Sequence, residues 1–252
     1  MKVPRIFVDR PLMVEDRVEL PADTAHHIVQ VLRKQFQDPL VIFNGRGGEF
    51  QARLESIRRS TVWLRIGTYR PIERESPLSI TLVQGISKGE RMDYTLQKAV
   101  ELGVSAIAPV QTERSVVRLD EVRSGKRLMH WRKIIINACE QCGRNRVPRL
   151  ESIQIVSRWL AGSHLGLKLL LAAEARTTLG SLAAPQGRPI ILLAGPEGGF
   201  SEAEHTCAET AGYLSLSLGP RILRTETAAL TALAALQALW GDLAGCSVRG
   251  EG

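Results

Sequence analysis

Two apolar runs constrain the fold of this chain more than any other feature. Residues 167–173 and 189–194 pass with almost no polar interruption. A strand with one wet face alternates polar and apolar side chains, whereas an unbroken run fits a parallel strand covered on both faces. Residues 78–83 have the same character, and 106–110 and 213–218 supply further strands. Between them the period changes. Met92, Leu96 and Val100 form one stripe over residues 91–102, residues 128–143 belong to a long basic helix, and residues 225–240 are a helix rich in alanine and leucine. Strands alternating with helices predict an α/β layer fold.

The first seventy or so residues read differently, as a small β-rich unit. Residues 39–43 are apolar and β-branched, residues 49–57 alternate, and the glycine-rich turn Asn44-Gly45-Arg46-Gly47-Gly48 lies between them. Residues 61–66 form another strand. A short helix is expected over 24–33, where Ile28, Val29 and Leu32 share a face, with Asp23 or Thr24 as its cap. The segment from Arg70 to Pro77 has two prolines and alternating charge, the composition of a linker. Two domains follow, residues 1–72 and 73–252.

Apolar residues make up 44% of the chain and charged ones 23%, which excludes a disordered polypeptide. No apolar run approaches the ~20 residues that cross a bilayer, and the start carries no signal core. The expectation is a cytoplasmic protein with no membrane partner. Net charge is +7, and its placement matters more than its size. Ten basic residues (Arg114, Arg118, Arg123, Lys126, Arg127, Arg132, Lys133, Arg144, Arg146 and Arg149) face only Asp120, Glu121 and Glu140 in the same stretch. Such a cluster fits a polyphosphate partner or a solvated helix face. Cys139 and Cys142 form a C-x-x-C, but Cys207 and Cys246 are isolated, so a second zinc-ligand pair is missing. The pair also ends a helix, whereas a redox pair opens one. It reads as helix packing, with no metal.

Two glycine-containing loops follow predicted strand ends, where open α/β sheets bind ligands. The first is Leu193-Ala194-Gly195-Pro196-Glu197-Gly198-Gly199-Phe200. Its glycines let a flat ligand press against peptide groups, although a tight strand-to-helix turn capped by Ser201 would look the same. No phosphate-cradling G-x-G-x-x-G or G-x-x-x-x-G-K-[ST] is present. The second loop runs Leu218-Gly219-Pro220-Arg221-Ile222-Leu223-Arg224-Thr225-Glu226-Thr227-Ala228. A helix begins near Thr225 with Glu226 in its first turn. Apolar Ile222 and Leu223 between two loop arginines make sense when they line a pocket.

The motifs GPEGGF and LGPRILRTETA resemble those of the ribosomal small-subunit uridine-N3 methyltransferases, the RsmE family of the SPOUT class. The likeness extends to His26–Arg33, to Lys88-Gly89-Glu90-Arg91-Met92-Asp93, to Gln97–Val104, to Thr112-Glu113-Arg114-Ser115, and to Asn137–Arg144. It covers essentially the whole chain. Gln37 departs from the family's usual glycine before Asp38, and Asn44 from its usual aspartate. The resemblance implies a SPOUT methyltransferase domain with a deep C-terminal trefoil knot, an N-terminal PUA-like RNA-binding β-barrel and a homodimer. It implies S-adenosylmethionine as cofactor and the 16S ribosomal RNA of the small ribosomal subunit as partner.

Carried over motif by motif, the resemblance assigns cofactor contacts to Leu171, Ala172 and Ala173, to Ala194, Gly195, Pro196, Glu197, Gly198 and Gly199, and to Leu218, Gly219, Ile222, Leu223 and Arg224. Uridine N3 carries a proton at neutral pH, so transfer to it requires a base or cations that stabilise its anion. Arg224 and Arg114 are the candidate cations. Glu197 is a candidate base, or a carboxylate that binds backbone amides or cofactor. RNA contacts are expected at Arg5, Arg10, Arg33 and Lys34 in the first domain and at Arg114 and Arg144 in the second. Two rivals stand beside this reading, a SPOUT ribose 2′-O-methyltransferase and a non-catalytic RNA-binding assembly factor. A nucleotide-binding oxidoreductase lacks its fingerprint.

Overall fold

The structure, a computed structural model, describes residues 3–58, 61–115 and 121–245; Arg118, Asp120 and Cys246 lie outside the described residues. The chain packs as two compact units, Met1–Glu75 with Cys139–Val147, and Ser76–Ala138 with Pro148–Gly252. A single cut near residue 72 therefore does not separate them, because the last turn of the long basic helix and the residues just after it pack with the N-terminal unit.

In the first unit, β1 (Arg5–Phe7), β2 (Arg17–Glu19), β3 (Pro39–Phe43), β4 (Glu49–Arg58) and β5 (Thr61–Arg70) form one five-stranded sheet in the order β1-β3-β4-β5-β2. β1 runs parallel to β3 and the remaining pairs are antiparallel. The outer strands do not pair with each other among the described residues, so the sheet is mixed and open. Its inner face is built by the period of two: Leu40 and Ile42, Ala52 and Leu54, and Val62, Leu64 and Ile66 enter one core. The expected helix is shorter and less regular. α1 (Ala22–His26) passes into a π-helical turn over His27–Val31. Neither Asp23 nor Thr24 caps it; Pro21 precedes it and Asp23 sits in the first turn. Gln37 has φ +66°, the left-handed region that glycine enters without steric cost.

The second unit is a parallel sheet. Its strands are β6 (Ile80–Gly85), β7 (Ala106–Gln111), β8 (Arg149–Leu150), β9 (Gln154–Ile155), β10 (Leu167–Leu171), β11 (Thr177–Thr178), β12 (Ile190–Ala194) and β13 (Leu214–Ser217). The order is β11-β13-β10-β12-β6-β7-β8, with β9 also on β7. Between and after them come α2 (Glu90–Glu101), α3 (Glu121–Cys142), α4 (Val156–Leu160), α5 (Glu202–Thr210) and α6 (Thr225–Trp240). Every residue of β12 is buried, and its register sets Ile190 beside Ile80 and Leu193 beside Val83. Each such apolar side chain contributes about 1.5–3 kcal/mol on burial. Because both faces are covered, a ligand reaches these strands at their ends. β10, β12 and β13 run parallel, so the loops that follow them emerge on the same edge. No helix among the described residues is long and apolar enough to cross a membrane.

Candidate active site

The three loops after β10, β12 and β13 line one cavity of about 620 Å³. Leu171, Ala172 and Ala173 come from the first. Ala194, Gly195, Pro196, Glu197 and Gly199 come from the second, and Leu218, Gly219, Ile222, Leu223 and Arg224 from the third. Two of these turns depend on glycine, since Gly199 has φ +66° and Gly219 φ +108°. Buried Gln84 ties the loops from beneath. Its Nε2 donates to the carbonyl of Gly195 at 3.3 Å and to Oγ1 of Thr225 at 3.3 Å, and the Thr225 hydroxyl itself donates to Gly195 O.

Gly198 is the exception among the expected contacts. It does not line the cavity, and a Cβ built there would lie 2.9 Å from both Cβ and the carbonyl oxygen of Arg114. The Thr112–Ser115 turn packs against this position and leaves no room for a side chain. That turn is held by the Thr112 amide donating to Ser115 Oγ at 3.0 Å and by the Glu113 amide donating to Glu204 Oε1 at 2.8 Å. Glu204 also closes a capping box with Ser201 at the start of α5. Arg114 itself is exposed and outside the cavity lining, with Nη1 3.5 Å from Gly198 O.

Glu197 does not have the environment of a general base. Its Oε1 accepts from the Lys88 amide at 3.1 Å and from Arg91 Nη1 at 3.0 Å. Burial alone would raise its carboxyl pKa. Hydrogen bonds from its own backbone amide and that of Lys88, together with Arg91, outweigh burial and hold it below the usual carboxylate range. It is an anchored anion that binds amides. Arg221 and Arg224 are exposed and make no ion pair among the described residues, and Ile222 between them is 92% exposed. Glu226 also lines the cavity, and its Oε2 is buried with no hydrogen-bond partner among the described residues.

Sequence reasoning missed Arg91, Phe200, Arg221, Thr225, Glu226 and Ala228 as lining residues, although all six stand inside the quoted motifs. His205, also in the lining, lies on α5 outside any motif and had no local signal.

Two of the arginines expected to contact RNA are buried and paired within the first unit. The Arg5 side chain is 7% exposed, pairs with Glu49 and donates to Asn145 Oδ1 at 2.5 Å. That of Arg144 is 5% exposed and grips Glu75 through Nε at 3.1 Å and Nη2 at 2.5 Å. Both are committed to holding the first unit together. Arg10 and Arg33 are exposed, and Lys34 is half-buried with Nζ 3.9 Å from Asp38. Cys139 is buried on α3, and its thiol is pushed up to about 12, chiefly by burial, so it stays protonated.

Residues 74–237 match the model of an RNA methyltransferase domain, and residues 20–67 that of an RNA methyltransferase PUA domain. The chain is 36% identical over 244 residues to the ribosomal RNA small subunit methyltransferase E of Buchnera aphidicola subsp. Schizaphis graminum, covering 96% of this chain and 98% of the relative. Among solved structures it is similar to a putative methyltransferase from Legionella pneumophila in complex with bound SAM, with TM-score 0.92, 41% identity, and coverage of 96% and 100%. It is also similar to a ribosomal RNA small subunit methyltransferase E from Neisseria gonorrhoeae bound to S-adenosyl methionine, with TM-score 0.89, 42% identity, and coverage of 96% and 99%.

Proposed function

The chain belongs to the ribosomal RNA small subunit methyltransferase E family, and on that premise we propose that it transfers a methyl group from S-adenosylmethionine to N3 of a uridine in 16S ribosomal RNA. The observation that carries the reading is the convergence of three strand-end loops, two of them bearing the family motifs, on a single cavity of about 620 Å³. That volume lies within the ~300–1,000 Å³ of small-molecule sites. The residues present fit the cofactor. Leu218 and Leu223 offer apolar walls, the backbone from Ala194 to Pro196 offers peptide groups, and Glu226 offers a buried carboxylate oxygen with no partner among the described residues.

S-adenosylmethionine supplies an already activated methyl group. The protein's task is then to align the acceptor and to favour its deprotonated form. Arg224, at the cavity mouth, is the candidate to stabilise negative charge on the uracil oxygens as the N3 proton leaves. Arg114 is held against the glycine loop by Gly198 and Glu204 and is the candidate to guide RNA toward that mouth. N3 lies on the Watson–Crick edge, so the target uridine enters unpaired or flipped.

The same premise supports the finer features. The C-terminal domain is read as a SPOUT domain with its cofactor pocket in a trefoil knot, and the N-terminal sheet as part of a PUA-like barrel that grips RNA. The enzyme is read as a cytoplasmic homodimer, to which exposed Leu239 near the end of α6 and Leu243 in the turn after it lend an apolar surface.

Mapping methylation on 16S ribosomal RNA from cells with and without this protein tests the assignment. Reverse transcriptase stops at one uridine in wild-type RNA and reads through in the knockout, because N3 methylation blocks pairing. A ribose methyl identified by mass spectrometry would transfer the assignment to a 2′-O-methyltransferase. Failure to bind S-adenosylmethionine would leave only the assembly-factor reading.

A further inference from the structure

The outer face of the N-terminal sheet has a charge arrangement that folding alone does not favour. Arg17 on β2 is the cross-strand neighbour of Arg65 on β5, and Arg65 is the cross-strand neighbour of Arg53 on β4. Three exposed arginines thus stand in one row across adjacent strands, and like charges directly opposite are destabilising. A bulge adds a fourth. The register of β4 and β5 shifts between Phe50 and Ala52, re-phasing β5 so that Arg65 and Arg70, five residues apart, line the same cavity. That cavity measures about 510 Å³, and Arg53, Gln51 and Thr68 line it too. An aromatic surface adjoins the row, with the Arg17 guanidinium 4.3 Å above the centre of the Trp63 ring.

Two carboxylates share the cavity, Glu15 and Glu55. Glu55 is the row's internal counterion, accepting from Arg17 Nε at 2.5 Å and from Arg65 Nε at 3.0 Å. Hydrogen bonding from Arg65 outweighs the opposing cost of burial and, with the hydrogen bond and charge of Arg17, holds its carboxyl below the usual range. Arg53 pairs with no carboxylate among the described residues; its Nη1 donates to the Gln37 carbonyl at 3.1 Å.

We infer that this face is a phosphodiester-binding surface for single-stranded RNA, built on the Arg17–Arg65–Arg53 row and Arg70 and separate from the methyl-transfer cavity. It rests on the reading of the protein as an RNA methyltransferase and names where the strand is gripped. Guanidinium groups pair well with phosphate oxygens, and a basic groove beside an aromatic ring is the usual design for single strands. Glu55 keeps the row folded while no RNA is bound.

The test measures affinity for an unmodified in vitro transcript of small-subunit ribosomal RNA across about 0.05–0.2 M salt, with S-adenosylmethionine affinity and thermal midpoint recorded beside it. In the triple variant Arg53→Gln, Arg65→Gln, Arg70→Gln, the salt slope falls by about two units and affinity drops about tenfold or more near 0.15 M. Glu55→Gln works in the opposite direction, raising affinity severalfold and steepening the slope by about one unit. Cofactor affinity stays unchanged in both. Unchanged RNA slopes in both variants overturn the inference, as does competition by polyglutamate at the strength of RNA. If the triple variant fails to fold, the sign of the Glu55→Gln effect decides. A wild type that binds this RNA yet methylates no uridine removes the proposed reaction while leaving the slope result to judge the surface.

Discussion

Two pairs of arginines, one pair in each unit, are used in opposite ways. In the N-terminal unit Arg5 and Arg144 are buried, and each is held by a carboxylate, Glu49 and Glu75. In the C-terminal unit Arg221 and Arg224 stand exposed at a cavity mouth without an ion pair among the described residues. A buried charge is tolerable only with its partner, so the first kind belongs to the architecture. An exposed charge costs little to keep, and it remains free for a ligand. The sheets explain where each kind sits. A parallel sheet covered on both faces leaves only strand ends for chemistry, whereas the mixed N-terminal sheet has a face left over.

The contrast breaks if the buried and exposed arginines respond alike. Arg144→Ala should destabilise the protein by about 3–5 kcal/mol, read from a denaturant midpoint, because Glu75 loses its counterion. Arg224→Ala should leave that midpoint in place and lower kcat by about 10²–10³, the cost of one stabilising donor in a transition state. An Arg224 variant that unfolds, or an Arg144 variant that folds normally and only loses activity, would reverse the assignment.

Glycines sharpen the comparison inside the C-terminal unit. A Cβ on Gly85 would lie 2.4 Å from Pro196 Cδ and 2.5 Å from its backbone nitrogen, so Gly85→Val must displace the cofactor loop. A shift of about 1 Å can cost roughly 10²-fold in rate, and calorimetry should record a weakened S-adenosylmethionine affinity beside it. Gly198→Val pushes on the Arg114 turn instead and should weaken cofactor binding less than Gly85→Val does. Equal losses would return Gly198 to the pocket.

The smallest effect concerns Glu140, whose carboxylate accepts the Phe7 amide at 2.9 Å. Burial raises its pKa, opposed by that hydrogen bond and by the charge of Arg5. A carboxyl raised in the folded state contributes its full stability below its unfolded pKa and loses it as pH rises through the folded one. Glu140→Gln should therefore leave the thermal midpoint unchanged in acid and raise it slightly above neutrality. A fall in the midpoint at pH 8 would mean the ionised form is preferred.

Periodicity alone located β3, the long strands around it, α2, α6 and the buried parallel strands, and spacing singled out the two glycine-containing loops at strand ends, while the family resemblance supplied the assignments of individual lining residues. These are local properties, written in side-chain spacing and turn residues that lie together in the chain. β1, β2, β8, β9 and β11 escaped because two or three residues hold no period, and α1 was misjudged because its π-helical turn leaves the 3.6-residue repeat. What only the tertiary structure decided is which charges are spent on folding. Arg5 reads in the sequence as one more exposed base until Glu49 and Asn145 arrive from 44 and 140 residues away. Gly198 reads in the sequence as loop backbone until the Arg114 turn is found packed beside it, and Glu197 reads as a base or an amide-binding carboxylate until Lys88 and Arg91 are found on it. Burial and pairing are fixed by packing between distant segments, and no local pattern encodes the distance between them.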